Sequence, residues 1–432
     1  MRQPMGRYRW VVVSLLFFAT TINYLDRQVI GLLKDNLAKD FSWSEKDYSR
    51  IVMAFTTAYA IALMLFGRLI DKIGTRLGYA ISIIIWSVAA MFHAVATSTF
   101  GFGIARTALG LGEAGNFPAA IKAVAEWFPK KDRALATGIF NSGTNMAAII
   151  GPPLIAWIFS HYGWQEAFIW TGSLGFIWLI FWWLLYEIPS RQKRITKEEF
   201  EYIHSDRNEE EDESQKPGWS GLFRLKKTWA IIFGKFLTDP VWWFYLFWIP
   251  SYFNTTYHLN LTSSAIHVST VYIVASFGSI LGGYLSGWLI RRGIPIYKAR
   301  KYSMFIFACC VVPIFFVRYT NGIWPAVWLI SLAAAAHQAW SATIYTVAGD
   351  MFPKKILSSV IGIGGMAGSA GGILFPFLIG ILLDHFKLLG QLGTGYNIIF
   401  GICAGAYLLA WCIMQLLYKP EISVVNVKAY RM

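Results

Sequence analysis

Charged residues are scarce in this sequence. Asp, Glu, Lys and Arg make up 14% of its 432 residues, against 56% hydrophobic residues. A soluble domain has about 25% charged residues, which keep its surface hydrated. The deficit argues against a soluble protein and predicts that much of the surface faces lipid.

Acidic residues are scarcer than basic ones, since 24 Asp and Glu accompany 38 Lys and Arg and give a formal net charge of +14. A basic balance can indicate a nucleic-acid-binding protein. Here the basic residues are scattered along loops between apolar runs, as in a membrane protein whose inner loops face anionic lipid. We therefore expect the lipid bilayer as a partner and no nucleic acid.

Signs of a disulfide framework, a metal site or a nucleotide site are lacking. The four cysteines lie inside apolar runs without zinc-ligand spacing; they are Cys309, Cys310, Cys403 and Cys412. The sequence has no Walker-type loop, no catalytic-triad spacing and no cluster of metal-ligating residues. It therefore predicts no cofactor, no metal and no enzyme, and it argues against a primary pump.

Long apolar runs, in contrast, are abundant. A helix needs about 20 apolar residues to cross a bilayer. Twelve such runs lie near residues 10–30, 50–70, 77–97, 100–122, 134–158, 165–186, 228–253, 265–290, 301–318, 322–349, 356–384 and 395–418. The first run lacks a small-residue cleavage site, so we interpret it as a retained span. The sequence predicts an all-α integral membrane protein with twelve transmembrane helices.

Lys and Arg are concentrated in alternate loops. The N-terminus, the loops after spans two, four, eight and ten, and the C-terminus carry most of them. The positive-inside rule places these segments, and hence both termini, in the cytoplasm. The predicted location is the plasma membrane, which in a bacterium is the inner membrane, and we expect a monomer.

One long polar stretch divides the chain into two halves of six spans. We predict an N-terminal six-helix bundle (1–186), a cytoplasmic linker (187–227), a C-terminal six-helix bundle (228–418) and a cytoplasmic tail (419–432). Within the linker, 197–203 has a helix-like pattern. The linker also contains an acidic run, Glu209 to Glu213. A charged run is usually a solvated face or a linker, so we expect it to lie in water.

The two halves contain a repeat. Trp127-Phe128-Pro129-Lys130-Lys131 recurs 224 residues later as Met351-Phe352-Pro353-Lys354-Lys355, and the same offset relates Gly138 to Gly362. These segments open spans five and eleven. Matching positions in two six-span halves are typical of a transporter built of parallel repeats, and they favour alternating access over a channel.

The loop after span two reads Gly67-Arg68-Leu69-Ile70-Asp71-Lys72-Ile73-Gly74-Thr75-Arg76. Gly67 and Gly74 permit a tight turn and a close helix approach, and Asp71 offers a carboxylate to a helix N-terminus or to an Arg of the other bundle. The loop resembles the signature loop of the major facilitator superfamily. The resemblance implies conformational roles for Gly67, Asp71 and Arg76.

Other segments resemble one branch of that superfamily. Asn23–Arg27 in span one and Arg106–Pro118 in span four are similar to the anion:cation symporters. Phe236–Tyr245, Ala336–Ser341 and Gly362–Gly368 look most like the corresponding segments of bacterial hexuronate transporters. The resemblance covers nearly the whole chain, except the central loop and the last dozen residues.

The resemblance implies a two-bundle major facilitator fold and a symporter that moves protons together with a small anionic sugar acid. The expected substrate is a hexuronate, glucuronate or galacturonate. An alternative is another organic anion, such as an aldonate or aldarate. Galactonate itself fits less well, because the related importer has a substrate-binding Asn in span eleven and Gly365–Ser369 contains none. A more distant alternative is a transporter-like sensor.

Four ionisable residues lie in the first half at membrane depth, where each costs at least about 2.5 kcal/mol. They are Asp26, Arg27, Arg106 and Glu113. With all four ionised, their charges cancel and each Arg has a partner. We predict that a proton on Asp26 or Glu113 releases an Arg, whose guanidinium then binds the substrate carboxylate. The alternative is a fixed ion-pair network that only holds helices together.

Further candidates lie in both halves. Lys235 and Asp239 are four residues apart in span seven, where they form either a gating and substrate-binding pair or a structural ion pair. Sugar hydroxyls are expected to bind Asn141, Thr144, Gln338 and Ser341. The tryptophans are interpreted first as packing or lipid-facing residues, with one or two of them, foremost Trp243 and Trp340, stacking on the pyranose ring; the four considered are Trp242, Trp243, Trp248 and Trp340. The resemblance implies that Tyr59 donates to the carboxylate. His337 is interpreted first as a packing residue, with titration as the alternative.

Overall fold

The computed structural model describes residues 6–43, 45–205, 218–257 and 261–417. Within these ranges the chain consists of helices and their connections, without a β-strand. The predicted tail (419–432) and the part of the linker at 206–217 lie outside the described residues. The all-α prediction is confirmed.

The first half contains eight helices. They are α1 (Tyr8–Leu32), α2 (Lys34–Phe41), α3 (Glu45–Ile73), α4 (Thr75–Phe92), α5 (Thr99–Glu113), α6 (Asn116–Trp127), α7 (Lys130–Tyr162) and α8 (Trp164–Leu185). Gly74 (φ 88°) and Gly163 (φ 95°) each separate two long helices, because they adopt a backbone conformation that other residues avoid.

The linker and the second half contain the other eight. They are α9 (Lys197–Ile203), α10 (Trp219–Arg224), α11 (Lys226–Tyr257), α12 (Leu261–Arg291), α13 (Ile296–Val311), α14 (Ile323–Met351), α15 (Lys354–Leu388) and α16 (Leu392–Leu417). A 3₁₀ segment, Val312–Tyr319, extends α13. Pro129 and Pro353 directly precede α7 and α15, so the sequence repeat marks equivalent helix starts.

Nine helices of the described chain are long and apolar enough to cross a membrane. Three predicted spans are not among them. The fourth is divided into α5 and α6 by a turn at Ala114 and Gly115, whereas α11 and α14 are unbroken but carry polar residues. The twelve-span count therefore stays a prediction, and the three spans that depart from it all carry candidate site residues.

The helices pack as two related bundles. In the first half α1 packs on α7 and α3 on α5, and in the second half α11 packs on α15 and α12 on α14. Between the halves, α3 packs on α15 and α7 on α12. Each pairing has its counterpart in the other half, as the repeat predicts.

The repeat glycines lie at the contacts between the halves. A Cβ on Gly138 of α7 would be 2.3 Å from the carbonyl oxygen of Ser279 in α12. A Cβ on Gly362 of α15 would be 2.2 Å from the carbonyl oxygen of Leu63 in α3. Both distances are too short for any other residue, so the two glycines permit equivalent backbone contacts.

Candidate functional site

A cavity with about 680 Å³ of atom-free space, part of it open to solvent, lies between the halves. Helices α1, α3, α6 and α7 line it on one side, and α11, α14 and α15 on the other. Nine predicted site residues line it, namely Arg27, Tyr59, Asn141, Thr144, Lys235, Asp239, Trp243, Gln338 and Ser341. Asp26, Arg106, Glu113 and Trp340 are not part of the lining.

Arg27 of α1 connects the cavity to the buried charges behind it. Its Nε and Nη2 each lie 2.8 Å from Oε2 of Glu113 in α5. The Arg27 side chain is 13% exposed, whereas that of Glu113 is fully buried. The other carboxylate oxygen of Glu113, Oε1, has no hydrogen-bond partner. One oxygen of Glu113 thus holds the cation that faces the cavity.

Aromatic rings surround the Arg27 guanidinium. Its Cζ lies 4.5 Å from the ring centre of Tyr24, 4.6 Å from that of Tyr59 and 5.1 Å from that of Phe55. Phe55 also lies 5.1 Å from Cζ of Arg106, so both guanidinium groups contact this ring. These cation–π contacts hold Arg27 in place without neutralising its charge.

Asp26 and Arg106 differ from the expectation that each Arg has a carboxylate partner. Arg106 donates from Nη2 to the backbone oxygen of Arg27 at 2.7 Å, and its Nε and Nη1 have no hydrogen-bond partner. Neither carboxylate oxygen of Asp26 accepts a hydrogen bond of normal geometry. Thr171 lies beside Asp26, but its hydroxyl donates to the carbonyl of Phe168. Arg27–Glu113 is the one ion pair formed within this group of four.

Lys235 and Asp239 form the ion pair that the sequence predicts. Lys235 Nζ lies 2.8 Å from Oδ2 of Asp239 and donates to the hydroxyl of Tyr345 at 2.9 Å. Both residues are on α11 and line the cavity opposite Arg27. The cavity therefore contains one cation from each half, and each cation has its own carboxylate.

The predicted hydroxyl-binding amides bind each other across the halves. Asn141 Nδ2 donates to Oε1 of Gln338 at 2.7 Å and to Oγ of Ser279 at 3.2 Å. Gln338 Nε2 donates in turn to Oδ1 of Asn145 at 3.2 Å. Sequence reasoning missed Asn145, although its spacing of four residues from Asn141 places both on one face of α7. The amide groups link α7 to α14 at the cavity lining.

The tryptophans and His337 differ partly from expectation. Trp340 is fully buried and packs against Tyr407 at a ring-centre distance of 5.4 Å, so it does not stack on a ligand in this cavity. Trp243 and Trp242, both considered for stacking on the sugar ring, line the cavity. Trp242 stacks on His337 at 5.0 Å, and Nδ1 of His337 contacts the Tyr407 hydroxyl. His337 packs as expected and also lines the cavity.

Asp71, in the first half, binds groups of the second half. Its carboxylate accepts hydrogen bonds from the Ser359 amide at 2.7 Å, the Ser359 hydroxyl at 2.6 Å and the Ser358 amide at 3.3 Å. Lys122 Nζ, in the same half as Asp71, donates to it at 3.0 Å. A Cβ on Gly67 would be 2.3 Å from the Ser358 carbonyl oxygen. The sequence predicts either a helix N-terminus or an Arg of the other bundle as the partner of Asp71. The structure shows the first of these, because the amides of Ser358 and Ser359 lie near the start of α15.

Asp350, in the second half, makes another contact between the halves. It lies 2.9 Å from Nε of Arg300 and 3.4 Å from Nη1 of Arg133, which belongs to the first half. Sequence reasoning missed this pair, although the repeat offset of 224 relates Arg76 to Arg300. Arg76 itself binds Glu187 and donates to the Trp183 carbonyl at 2.8 Å, so its contacts remain within the first half.

The linker helix α9 packs against the first half, whereas the acidic run at 209–213 lies outside the described residues. Glu199 of α9 is fully buried and accepts from the backbone amides of Tyr8 and Arg9 at 3.1 and 3.0 Å. The Tyr202 hydroxyl donates to Oδ2 of Asp132 at 2.6 Å. Burial, reinforced by this hydrogen bond to a carboxylate, raises the pKa of Tyr202. The helix predicted at 197–203 is present and packs where α1 and α7 begin.

Comparison with known proteins places the chain among transporters. The family model of the Major Facilitator Superfamily matches residues 16–376. The hexuronate transporter of Escherichia coli (strain K12) is 32% identical over 426 residues, which cover 97% of this chain and 96% of that protein. The galacturonate transporter of Dickeya chrysanthemi is 34% identical over 279 residues, covering 64% of this chain and 81% of that protein.

A solved structure shares the fold. The proton:xylose symporter bound to 6-bromo-6-deoxy-D-glucose superposes with a TM-score of 0.76 over 95% of both chains, at 15% identity. At that identity the likeness concerns the fold alone. Together with the sequence relatives, it confirms the predicted resemblance.

Proposed function

Because the chain belongs to the major facilitator superfamily, we propose that it is a proton-coupled symporter that imports a hexuronate anion by alternating access. It is a multi-pass membrane transporter related to hexuronate and other sugar-acid transporters, and not an enzyme. The proposal adds the proton as co-substrate, glucuronate or galacturonate as substrate, twelve spans, cytoplasmic termini and a bacterial inner membrane.

The observation that carries the proposal is the single-oxygen contact between Arg27 and Glu113. A substrate carboxylate binds a guanidinium best with two oxygens, through two parallel hydrogen bonds. Glu113 offers Arg27 only Oε2, at 2.8 Å from both Nε and Nη2. A carboxylate that enters the cavity can therefore replace Glu113 with a better set of contacts.

Protonation of Glu113 makes this exchange favourable. Ionised Glu113 neutralises Arg27, whereas protonated Glu113 leaves Arg27 with an uncompensated positive charge at membrane depth, where an unpaired charge is costly. The substrate anion then restores neutrality. Asp26, which is buried with no hydrogen bond of normal geometry, is the second proposed proton carrier. Proton and anion thus bind together.

The sugar part of the substrate extends from Arg27 toward the second half. Polar groups of Asn141, Gln338, Ser341 and Asp239 line that part of the cavity, and Trp242 and Trp243 provide flat apolar surfaces. Hydroxyl groups of the ring replace the amide hydrogen bond between Asn141 and Gln338. Because that bond joins the two halves, substrate binding also changes how the halves hold together.

Alternating access requires the contacts at the loop ends to open. Asp71 and Asp350 each bind groups of the other half, and Gly67, Gly138 and Gly362 allow the backbones there to touch. The positive-inside rule assigns these loops to the cytoplasm. We therefore interpret the structure as closed on the cytoplasmic side, with release of the substrate following separation of these contacts.

Uptake by proteoliposomes tests the proposal. Labelled galacturonate is expected to accumulate when the outside is acidic, and unlabelled glucuronate is expected to compete with it. Glucose, which lacks a carboxylate, serves as the matched neutral competitor and should not compete. Equal competition by glucose and glucuronate would rule out recognition of the carboxylate, and uptake that ignores the pH gradient would rule out proton coupling.

A further inference from the structure

The second cation of the cavity, Lys235, is neutralised by a carboxylate that is itself accessible. Asp239 Oδ2 lies 2.8 Å from Lys235 Nζ. The Asp239 side chain is 22% exposed, whereas that of Lys235 is 4% exposed. A ligand in the cavity therefore meets Asp239 before it meets the ammonium group.

Gly368 of α15 makes room for this carboxylate. A Cβ at Gly368 would lie 2.1 Å from Oδ2 and 2.9 Å from Cγ of Asp239. No other side chain fits there while Asp239 keeps its position. The glycine-rich segment of α15 thus fixes Asp239 against Lys235, and Lys235 is held from its other side by the Tyr345 hydroxyl at 2.9 Å.

The two charge pairs of the cavity present different charges to a substrate. On the first half the cation faces the cavity, since Arg27 is 13% exposed and Glu113 is fully buried. On the second half the anion is the more exposed partner. A sugar acid whose carboxylate binds Arg27 points its far end at Asp239, where a hydroxyl can donate a hydrogen bond and a second carboxylate is repelled.

We propose that Asp239 restricts the cavity to sugar acids with one carboxylate, by neutralising Lys235 and repelling a second carboxylate at the far end of the substrate. The inference rests on the proposed function, because it requires the first carboxylate to bind Arg27. Specificity here comes from repulsion of the wrong ligand as much as from attraction of the right one.

The test compares galacturonate with galactarate, which has a carboxylate at both ends. Binding of each to the purified full-length protein is measured by calorimetry. The wild type is expected to bind galacturonate at least tenfold more tightly. Asp239→Asn frees Lys235 and should reduce that preference at least tenfold, through tighter binding of galactarate. The quantity compared is the ratio of the two affinities in the wild type and in the variant. The difference in ring form between the two ligands affects both ratios equally and therefore cancels.

Two further variants make the test specific. The double variant Lys235→Gln/Asp239→Asn should not gain galactarate binding, because the freed cation is missing. Gly368→Ala displaces the carboxylate without changing any charge, so it should weaken the preference in the same direction. It also serves as the alternative if Asp239→Asn does not fold, as judged by gel filtration and thermal unfolding.

The outcomes separate this inference from the proposed function. If the wild type binds galacturonate and the preference is the same in Asp239→Asn, the inference is wrong and Lys235–Asp239 is a structural ion pair. A wild type that binds both ligands equally also overturns it. If the wild type binds no galacturonate, the proposed function fails as well.

Discussion

Two regions of this molecule, the loop ends and the buried charges behind the cavity, satisfy their buried carboxylates differently. At the loop ends, Asp71 accepts hydrogen bonds from two backbone amides, a hydroxyl and an ammonium group, and Asp350 lies between two guanidinium groups. Behind the cavity, Glu113 uses one oxygen, and Asp26 has no hydrogen bond of normal geometry. All four carboxylates are at least 90% buried.

The difference supports the proposed choice of proton carriers. Buried polar groups in folded proteins nearly always have partners, and exceptions point to function. Asp71 and Asp350 bind several donors, some of them from the other half, and so hold the two halves together. Glu113 has one such partner and Asp26 has none of normal geometry, which supports the proposal that these two carry the proton. The loop ends are thus suited to closure and the cavity to coupling.

The largest expected effect comes from removing the proposed proton carrier Glu113, which lies behind the cavity. Glu113→Gln should abolish accumulation of galacturonate driven by a pH gradient, a loss of about 100-fold, because the side chain no longer binds and releases a proton. Exchange of labelled for unlabelled substrate across the membrane needs no net proton movement and should be retained in part. Both are measured in proteoliposomes.

The matched control for this variant is Asp71→Asn, which removes a carboxylate of the other kind. It should slow accumulation and exchange to a similar degree, since it affects the movement of the halves and not the proton. If Glu113→Gln still accumulates substrate against its gradient, Glu113 belongs to the fixed network and the contrast between the two regions fails.

A smaller loss is expected when the cation of the cavity keeps its charge but changes its shape. Arg27→Lys should weaken galacturonate binding by about 10- to 100-fold, because an ammonium group does not form two parallel hydrogen bonds to a carboxylate. Calorimetry measures the affinity. Arg76→Lys, at a loop end and paired with Glu187, is the control and should bind normally. Unchanged affinity of Arg27→Lys would show that Arg27 does not bind the carboxylate in this way.

A substitution at the loop ends is expected to lower the stability of the protein. Asp71→Asn replaces charge-assisted hydrogen bonds by weaker ones and should lower the free energy of unfolding by about 2 kcal/mol, seen as a lower melting temperature in detergent. Asp40 on α2 is exposed, so Asp40→Asn should leave the melting temperature unchanged. Equal melting temperatures for the two variants would mean that the contacts of Asp71 do not hold the halves together.

The sequence was sufficient to predict what depends on local pattern. Apolar runs predict the helices, and the 224-residue offset predicts that Gly138 and Gly362 are equivalent, which their contacts with Ser279 and Leu63 confirm. The signature loop predicts that Asp71 binds either a helix N-terminus or an Arg of the other bundle, and Asp71 accepts hydrogen bonds from backbone amides near the start of α15. Each of these features can be recognised from short segments of consecutive residues.

Features that depend on which helix faces lie together were not predictable. Helix α14 is buried on nearly all sides, so its sequence does not indicate that His337 lines the cavity and Trp340 does not. The bond between Asn141 and Gln338 joins residues 197 positions apart, and no local pattern marks them as partners. The packed position of α9 was missed because its charges are paired by distant residues, as Glu199 is by Arg9.

The smallest expected effect concerns that linker helix, which packs beside the loop ends and not the cavity. Tyr202→Phe removes the hydrogen bond to Asp132 and should lower the free energy of unfolding by about 1 kcal/mol.

The pKa of Tyr202 is raised in the folded protein, so the residue stays protonated through the neutral range. Any stability that it contributes by keeping its proton is present below the ordinary tyrosine pKa and is lost only as the pH rises above it. The pH dependence of uptake between about pH 5 and 8 should therefore be the same in Tyr202→Phe and the wild type, as measured with proteoliposomes at stepped external pH. A shift of that profile would show that the linker takes part in proton coupling, and the separation between a coupling region and a closing region would no longer hold.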